Sequence, residues 1–252
     1  MTTNRRIVAG LCALVFGAIS VGIGAPANTP TVLILATGAD RMTNGKPTGL
    51  WLEEFAVPYN AFERAGFQVL VATPQGGAAP VDPRSNPTPE QAATWSEATE
   101  RLRRTLPLAE VDAAELDAIF IPGGHGAMFD LAGDLLTAKL IAKLDAQGKV
   151  IAAVCHGPAA LVNVKRADGR PLVAGRTVSA FTDEEERTVE LDREMPFLLE
   201  SRLRELGATL ETKPKFTPQA VQDRNLITGQ NPMSSEAVAD LVIQALAQGK
   251  QN

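Results

Sequence analysis

The sequence predicts one doubly wound α/β domain over residues 28–252, its sheet mostly parallel and its helices on both faces. Two observations carry this. Continuous apolar, β-branched runs alternate with stretches of helical spacing, the pattern of strands buried on both faces and joined by crossover helices. Three unusual stretches, "GGHG", "CHG" and "FTDEEE", each follow a strand-like run, and in doubly wound sheets sites lie beyond the carboxyl ends of the strands.

Taken in order, "TPTVLILAT" (29–37) is a buried strand. In "TGLWLEEFAVPYNAFERAG" (48–66), Leu50, Trp51, Phe55, Tyr59 and Phe62 recur near helical spacing. Pro58 is expected to kink or interrupt that helix, and Gly66 to end it. "FQVLVATP" (67–74) is the next strand and completes a right-handed βαβ unit. Residues 75–89, rich in Pro and Gly, form an irregular loop, and a polar helix covers 90–105. A strand in 115–126 enters a glycine-rich turn, a helix spans 135–148, and a strand spans 149–155. A helix then starts within 157–164, and "TVSAF" is a short strand. A charged helical segment over 184–207 breaks near Pro196. "ATLETKPKF" and "NLITGQ" read as late strands and 234–249 as the closing helix.

Composition removes several function classes. With 252 residues, 45% hydrophobic and 21% charged, the chain is an ordinary globular one that can bury a large core without metals or disulfides. The formal charge is −5, the one basic cluster is "RLRR" at 101–104, and aromatic residues make up 5%. That excludes a nucleic-acid surface. "GGHG" lacks the Lys-Ser/Thr ending of a phosphate loop, which argues against nucleotides.

The N-terminus reads as a secretory signal peptide over residues 1–27. Arg5 and Arg6 precede an uncharged run from Ile7 to Gly24, and "APA" closes it. The expectation is a periplasmic or secreted protein, with membrane contact only if the signal stays uncleaved. Leu11 before Cys12 rules out a lipoprotein site there. Cleavage moves the formal charge from −5 to −7 and leaves Cys155 as the one cysteine, with no partner for an internal disulfide.

Cys155 falls where a strand turns into a helix, the layout of a nucleophile elbow with backbone N–H groups at hand for an oxyanion. Gly157 relieves crowding there and Pro158 suits a first helical turn. A helix N-terminus would favour the thiolate. A small buried core residue is the equally weighted alternative. His156, adjacent in sequence, is expected to leave the turn in another direction, reaching the thiol only by folding over it. The chain has two histidines, His125 and His156, so no distant histidine downstream completes a glutaminase-type triad, and a histidine-rich metal site is not expected. Glu53 and Glu54 share a helix crowded with apolar residues. One can turn inward, where burial raises a carboxyl pKa to a useful range, although an exposed charged pair is the commoner outcome. The acids of "FTDEEER" (181–187) equally suit a helix start capped by Thr182 or Asp183.

Together "TGLWLEE", "PYNAF", "PGGHGAMFDL", "VIAAVCHGPAAL", "GRPLVAGRTVSAFTDEEE" and "LITGQNPMSS" resemble the ThiJ/PfpI superfamily, in particular its branch of glutathione-independent glyoxalases and heat-shock chaperones. The resemblance runs from about residue 31 to 247. It implies a flavodoxin-like fold, no cofactor and no metal, and allows a homodimer. It implies Cys155 as nucleophile, Glu54 as proton shuttle, His156 beside the nucleophile, and Glu186 as the acid that completes the site, with Asp183 as its rival. Gly123, Gly124, His125 and Gly157 are implied around the oxyanion and substrate. The implied reaction turns methylglyoxal-type α-oxoaldehydes into 2-hydroxy acids such as D-lactate through a hemithioacetal on Cys155. A related deglycase, a holding chaperone for unfolded proteins, and a cysteine-dependent amidase or peptidase are the alternatives. Where relatives can carry a histidine before the helix proline, this chain has Val57, which bears on substrate scope.

Overall fold

The computed structural model describes residues 29–249; the expected signal segment lies outside them. The elements are β1 (Thr31–Leu35), α1 (Leu52–Arg64), β2 (Gln68–Thr73), α2 (Pro89–Thr94), α3 (Ser96–Arg101), β3 (Leu106–Pro107), β4 (Ala118–Ile121), α4 (Leu135–Ala146), β5 (Val150–Val154), β6 (Thr177–Val178), α5 (Asp183–Thr188), α6 (Leu199–Glu205), β7 (Thr209–Leu210), β8 (Ala220–Asp223), β9 (Leu226–Gly229) and α7 (Ser235–Gly249). The main sheet runs β3-β2-β1-β4-β5-β9-β8. Every pairing in it is parallel except β8 with β9. This is the expected flavodoxin-like arrangement.

The side-chain alternation of β1 shows why both faces are covered. Val32 and Ile34 join a core with Phe55, Tyr59 and Phe62 of α1 and Val238 and Val242 of α7. Leu33 and Leu35 join the opposite core with Leu140, Ile141 and Leu144 of α4. A strand buried on both faces has no polar side to show, hence its unbroken apolar run. Among the described residues no helix is long and apolar enough to cross a membrane.

Several expectations change. Pro58 does not interrupt α1, which continues to Arg64. Buried Phe55, Tyr59 and Phe62 hold the helix on the sheet, outweighing the roughly 3 kcal/mol an internal proline costs. The helix over 90–105 is two short helices meeting at buried Trp95, whose backbone leaves the helical range at φ −101, ψ 9. The segment after the elbow is a 3-10 turn over Gly157–Leu161, not an α-helix. The charged stretch 184–207 is two helices, α5 and α6, separated by residues 189–198. "ATLETKPKF" supplies only β7, which pairs with β6 outside the main sheet. β3 and β8 carry too few apolar residues to be read from sequence.

Buried Arg176 ties this periphery together. Its Nη2 donates to the Asp223 carbonyl and, at 3.0 Å, to Asn225 Oδ1, while Nε lies 3.3 Å from Asp223 Oδ1. Arg176→Ala strips the Asp223 carbonyl and Asn225 Oδ1 of a buried charged donor and leaves Asp223 paired with Arg224 alone, and is expected to lower stability by about 2 kcal/mol. Urea denaturation should show a lower midpoint with an unchanged slope.

Candidate active site

The site is built on the carboxyl ends of β4 and β5. After β5, Cys155 takes φ +59, a left-handed conformation that costs a non-glycine residue about 1–3 kcal/mol. The neighbours enforce it. The Cys155 amide donates to the Gly229 carbonyl at 2.9 Å, and its carbonyl accepts from the Phe181 amide at 2.9 Å. A Cβ on Gly157 would lie 2.2 Å from the Ile121 carbonyl oxygen. Gly157 therefore lets β4 and the elbow touch and does not line the cavity; its expected place around the substrate is corrected to packing. The elbow presents the thiol, 3% exposed, at the floor of a cavity of about 230 Å³.

Glu54 reaches that floor from the first turn of α1 and is fully buried, while Glu53 is half-exposed. The Gly123 amide donates to Glu54 Oε2 at 2.7 Å. Gly123 thus orients the acid, and its N–H is not available to an oxyanion as expected. Glu54 Oε1 is buried without a well-formed hydrogen bond, and the polar group it faces is the Cys155 thiol. The Gly124 amide adjoins the Cys155 sulfur and favours its thiolate. Gly124 sits at φ +92, and a Cβ there would lie 2.4 Å from Gly49 O and Trp51 N, so only glycine brings this amide to the sulfur.

Burial pushes Glu54 up to about 8, against the opposing pull of the adjacent Cys155 thiol and of the Gly123 hydrogen bond. Burial, then the Glu54 charge, push Cys155 well above the ordinary thiol range. The expected depression by a helix N-terminus is not found, because a five-residue 3-10 turn replaces the helix and desolvation dominates. Once Glu54 carries a proton, its charge no longer opposes the thiolate.

Both histidines converge on Glu186. His125 Nε2 lies 2.8 Å from Oε1 and His156 Nε2 lies 2.7 Å from Oε2. His156 folds back over the elbow, so its Nδ1 is 3.3 Å from Cys155 Sγ. The expectation that it points elsewhere is corrected: with Phe181 beneath it, ring centroids 4.4 Å apart, the ring can serve the thiol directly. Burial alone would raise Glu186, but the histidine charges and N–H donors outweigh it and hold the carboxyl well below its usual range. His125 is lowered to about 4, by burial first and then by His156.

Asp183 is excluded as the partner acid. Its carboxylate accepts from Ser201 N and Oγ, tying α5 to α6. Two residues were missed by sequence reasoning. Glu185 accepts from Thr182, Phe216, Gln230 and Asn231, so it docks the cavity's outer loops onto α5. Its signal was present as the Thr182-x-x-Glu185 capping box. Arg84, from the irregular loop, lies against His125; nothing local announces it. His125, His156 and Glu186 offer ligand atoms within 4.8 Å of one another. Each Glu186 oxygen already accepts an imidazole N–H, however, and the Arg84 cation adjoins the cluster, so the set favours protons over a divalent ion. Trp51, Phe181, Val189, Phe216, Pro232 and Met233 wall the cavity.

Proteins of similar sequence and shape carry named activities. The chain is 31% identical over 218 residues to the glutathione-independent glyoxalase hsp3101 of Schizosaccharomyces pombe, spanning 80% of this chain and 88% of that one. It is 30% identical over 230 residues to the protein/nucleic acid deglycase HchA of Staphylococcus aureus, spanning 84% and 77%. The crystal structure of glyoxalase III from Candida albicans matches with a TM-score of 0.80 at 26% identity, over 86% of this chain and 98% of that one. The model of the DJ-1/PfpI family matches residues 48–245, from just before Glu54 through the elbow to α7, and the chain belongs to that family.

Proposed function

We propose that this protein is a glutathione-independent glyoxalase acting on small α-oxoaldehydes. The observation that carries the reading is the buried Glu54–Cys155 pair, an acid near 8 whose unpartnered oxygen faces the nucleophile. The similarity to hsp3101, named a glutathione-independent glyoxalase, and to the structure of glyoxalase III supports it.

The steps follow from the positions. The His156 Nε2–H donates to Glu186, so Nδ1 presents a lone pair to the thiol and takes its proton as sulfur attacks the aldehyde carbon. The alkoxide that forms takes the proton back from the His156 imidazolium, giving a hemithioacetal and restoring the neutral ring. Glu54 removes the hydrogen from C1 and returns a proton to C2 through an enediol. The product is a 2-hydroxy thioester, and water releases the acid and the thiol. An acid with a pKa near neutrality is suited to both the removing and the returning step.

Purified protein should convert methylglyoxal to D-lactate without glutathione, as read by chiral chromatography. The apolar walls should also admit an aryl α-oxoaldehyde, phenylglyoxal, with a lower KM than methylglyoxal. No turnover of either aldehyde would overturn the assignment. Similarity to HchA makes deglycation the second reading, separated by offering a glycated amine in the same assay. We place this activity outside the cytoplasm on the strength of the residue 1–27 pattern. Independence from glutathione suits such a compartment. A holding role towards unfolded proteins and a homodimer remain proposals, drawn from the family resemblance.

A further inference from the structure

The hydrogen bonds continue past the catalytic cluster. Arg84 Nη2 lies 3.0 Å from His125 Nδ1. A guanidinium only donates, so Nδ1 must offer its lone pair and the His125 proton must sit on Nε2, where it donates to Glu186 Oε1. Arg84 has no freedom to turn away. Its Nε donates to Asp82 Oδ1 at 2.9 Å, its Nη2 to Asp82 Oδ2 at 2.6 Å, and its own amide to Oδ1 at 2.9 Å. Asp82 is fully buried and also accepts from Thr48 Oγ1 at 3.2 Å.

The consequence concerns the charge on Glu186. This carboxylate faces two imidazoles, and whichever is protonated claims its charge. A cationic His125 would put an N–H against the Arg84 N–H and would neutralise Glu186 before His156 could use it. We propose that Arg84, clamped by Asp82, is a positioning residue that locks His125 as the neutral Nε2–H tautomer and so reserves the Glu186 charge for the His156 imidazolium formed when Cys155 loses its proton. The groups facing His125 agree with this. Arg84 comes from the loop, Glu186 from α5 and His156 from the elbow, and burial with the His156 and Arg84 charges keeps His125 hard to protonate. The catalytic half of the proposal rests on the glyoxalase reading; the tautomer half does not.

The test uses ¹⁵N-histidine NMR and pH–rate profiles on the full-length mature protein. With two histidines in the chain, both imidazoles can be followed individually. In wild type both imidazoles should show the Nε2–H tautomer, and that of His125 should resist protonation down to about pH 4. In Arg84→Met its titration should rise by at least about one pH unit, and the acidic limb of kcat/KM for methylglyoxal should rise with it. At pH 5, where His125 would then be about half protonated, kcat should fall about twofold with KM nearly unchanged. Arg84→Lys keeps a cationic donor and should restore most of the loss. An Nδ1–H tautomer for His125 in wild type would overturn the proposal, as would an unmoved titration in Arg84→Met or a loss confined to KM. The wild-type spectrum needs no variant, so a variant that misfolds leaves the proposal open to refutation. If the protein turns over no aldehyde, the spectra still decide the tautomer, which separates this failure from that of the glyoxalase reading.

Discussion

Cys155→Ala lowers methylglyoxal turnover by at least about a thousandfold, because nothing else on the cavity floor can form the covalent bond that splits the reaction into two steps. Coupled lactate detection at saturating aldehyde is the measurement; residual turnover within tenfold of wild type would end the covalent assignment. The fold should survive. The elbow is held by backbone bonds to Gly229 and Phe181, which alanine keeps, and the lost atom is one sulfur facing a cavity. A thermal melt within a few degrees of wild type is expected, so the loss of activity can be attributed to chemistry.

Glu54→Gln should cost about 10²- to 10⁴-fold in kcat, the usual range for a lost general acid–base group. It should do so without preventing attack on the aldehyde. The amide oxygen can still accept from Gly123, and His156 still serves the thiol. An intact-mass spectrum after brief exposure should show one aldehyde added to Cys155 and no lactate in solution. A wild-type rate in this variant would remove Glu54 from the mechanism. Stability should change with pH in a set direction. The folded value for Glu54, about 8, lies above its ordinary 4.5, so the folded state binds this proton more tightly than the unfolded chain. The stability linked to it is present below about pH 4.5 and is lost as pH rises towards about 8. Glu54→Gln removes that decline, by an amount on the order of a few kcal/mol. At the acid end the signs reverse. His125, lowered to about 4 from 6.5, binds protons more readily when unfolded, so stability falls as pH drops through 6.5 towards 4. Glu186, held low by both imidazoles, adds its own loss below its ordinary 4.5.

The strands that carry the site were legible because each is buried on both faces and so must be continuously apolar. That is why β1, β4 and β5 could be placed, and with them the turns holding Gly124 and Cys155. The edge strands β3 and β8 face water on one side and carry no such run. Choosing between Asp183 and Glu186 was beyond the sequence, since they lie one helical turn apart and only the packing of α5 on α6 decides which faces the histidines. The capping box at Thr182 and Glu185 would have oriented that turn. Arg84 had no local signal at all: its role exists only because its loop crosses above His125. The direction of the His156 ring likewise depends on Phe181, which comes from the connection between β6 and α5.

The cavity walls and its floor come from different parts of the architecture. Beneath and around Cys155, Gly123, Gly124 and Gly157 hold the elbow through backbone approaches that tolerate no Cβ, whereas Val189, Phe216 and Met233 stand on separate connections outside the main sheet. Loops accept substitution more readily than packed strand ends. Evolution or a directed library can therefore exchange the lining while the reacting atoms stay in register. On this scaffold, a change of substrate repertoire and a change of reaction are separable events.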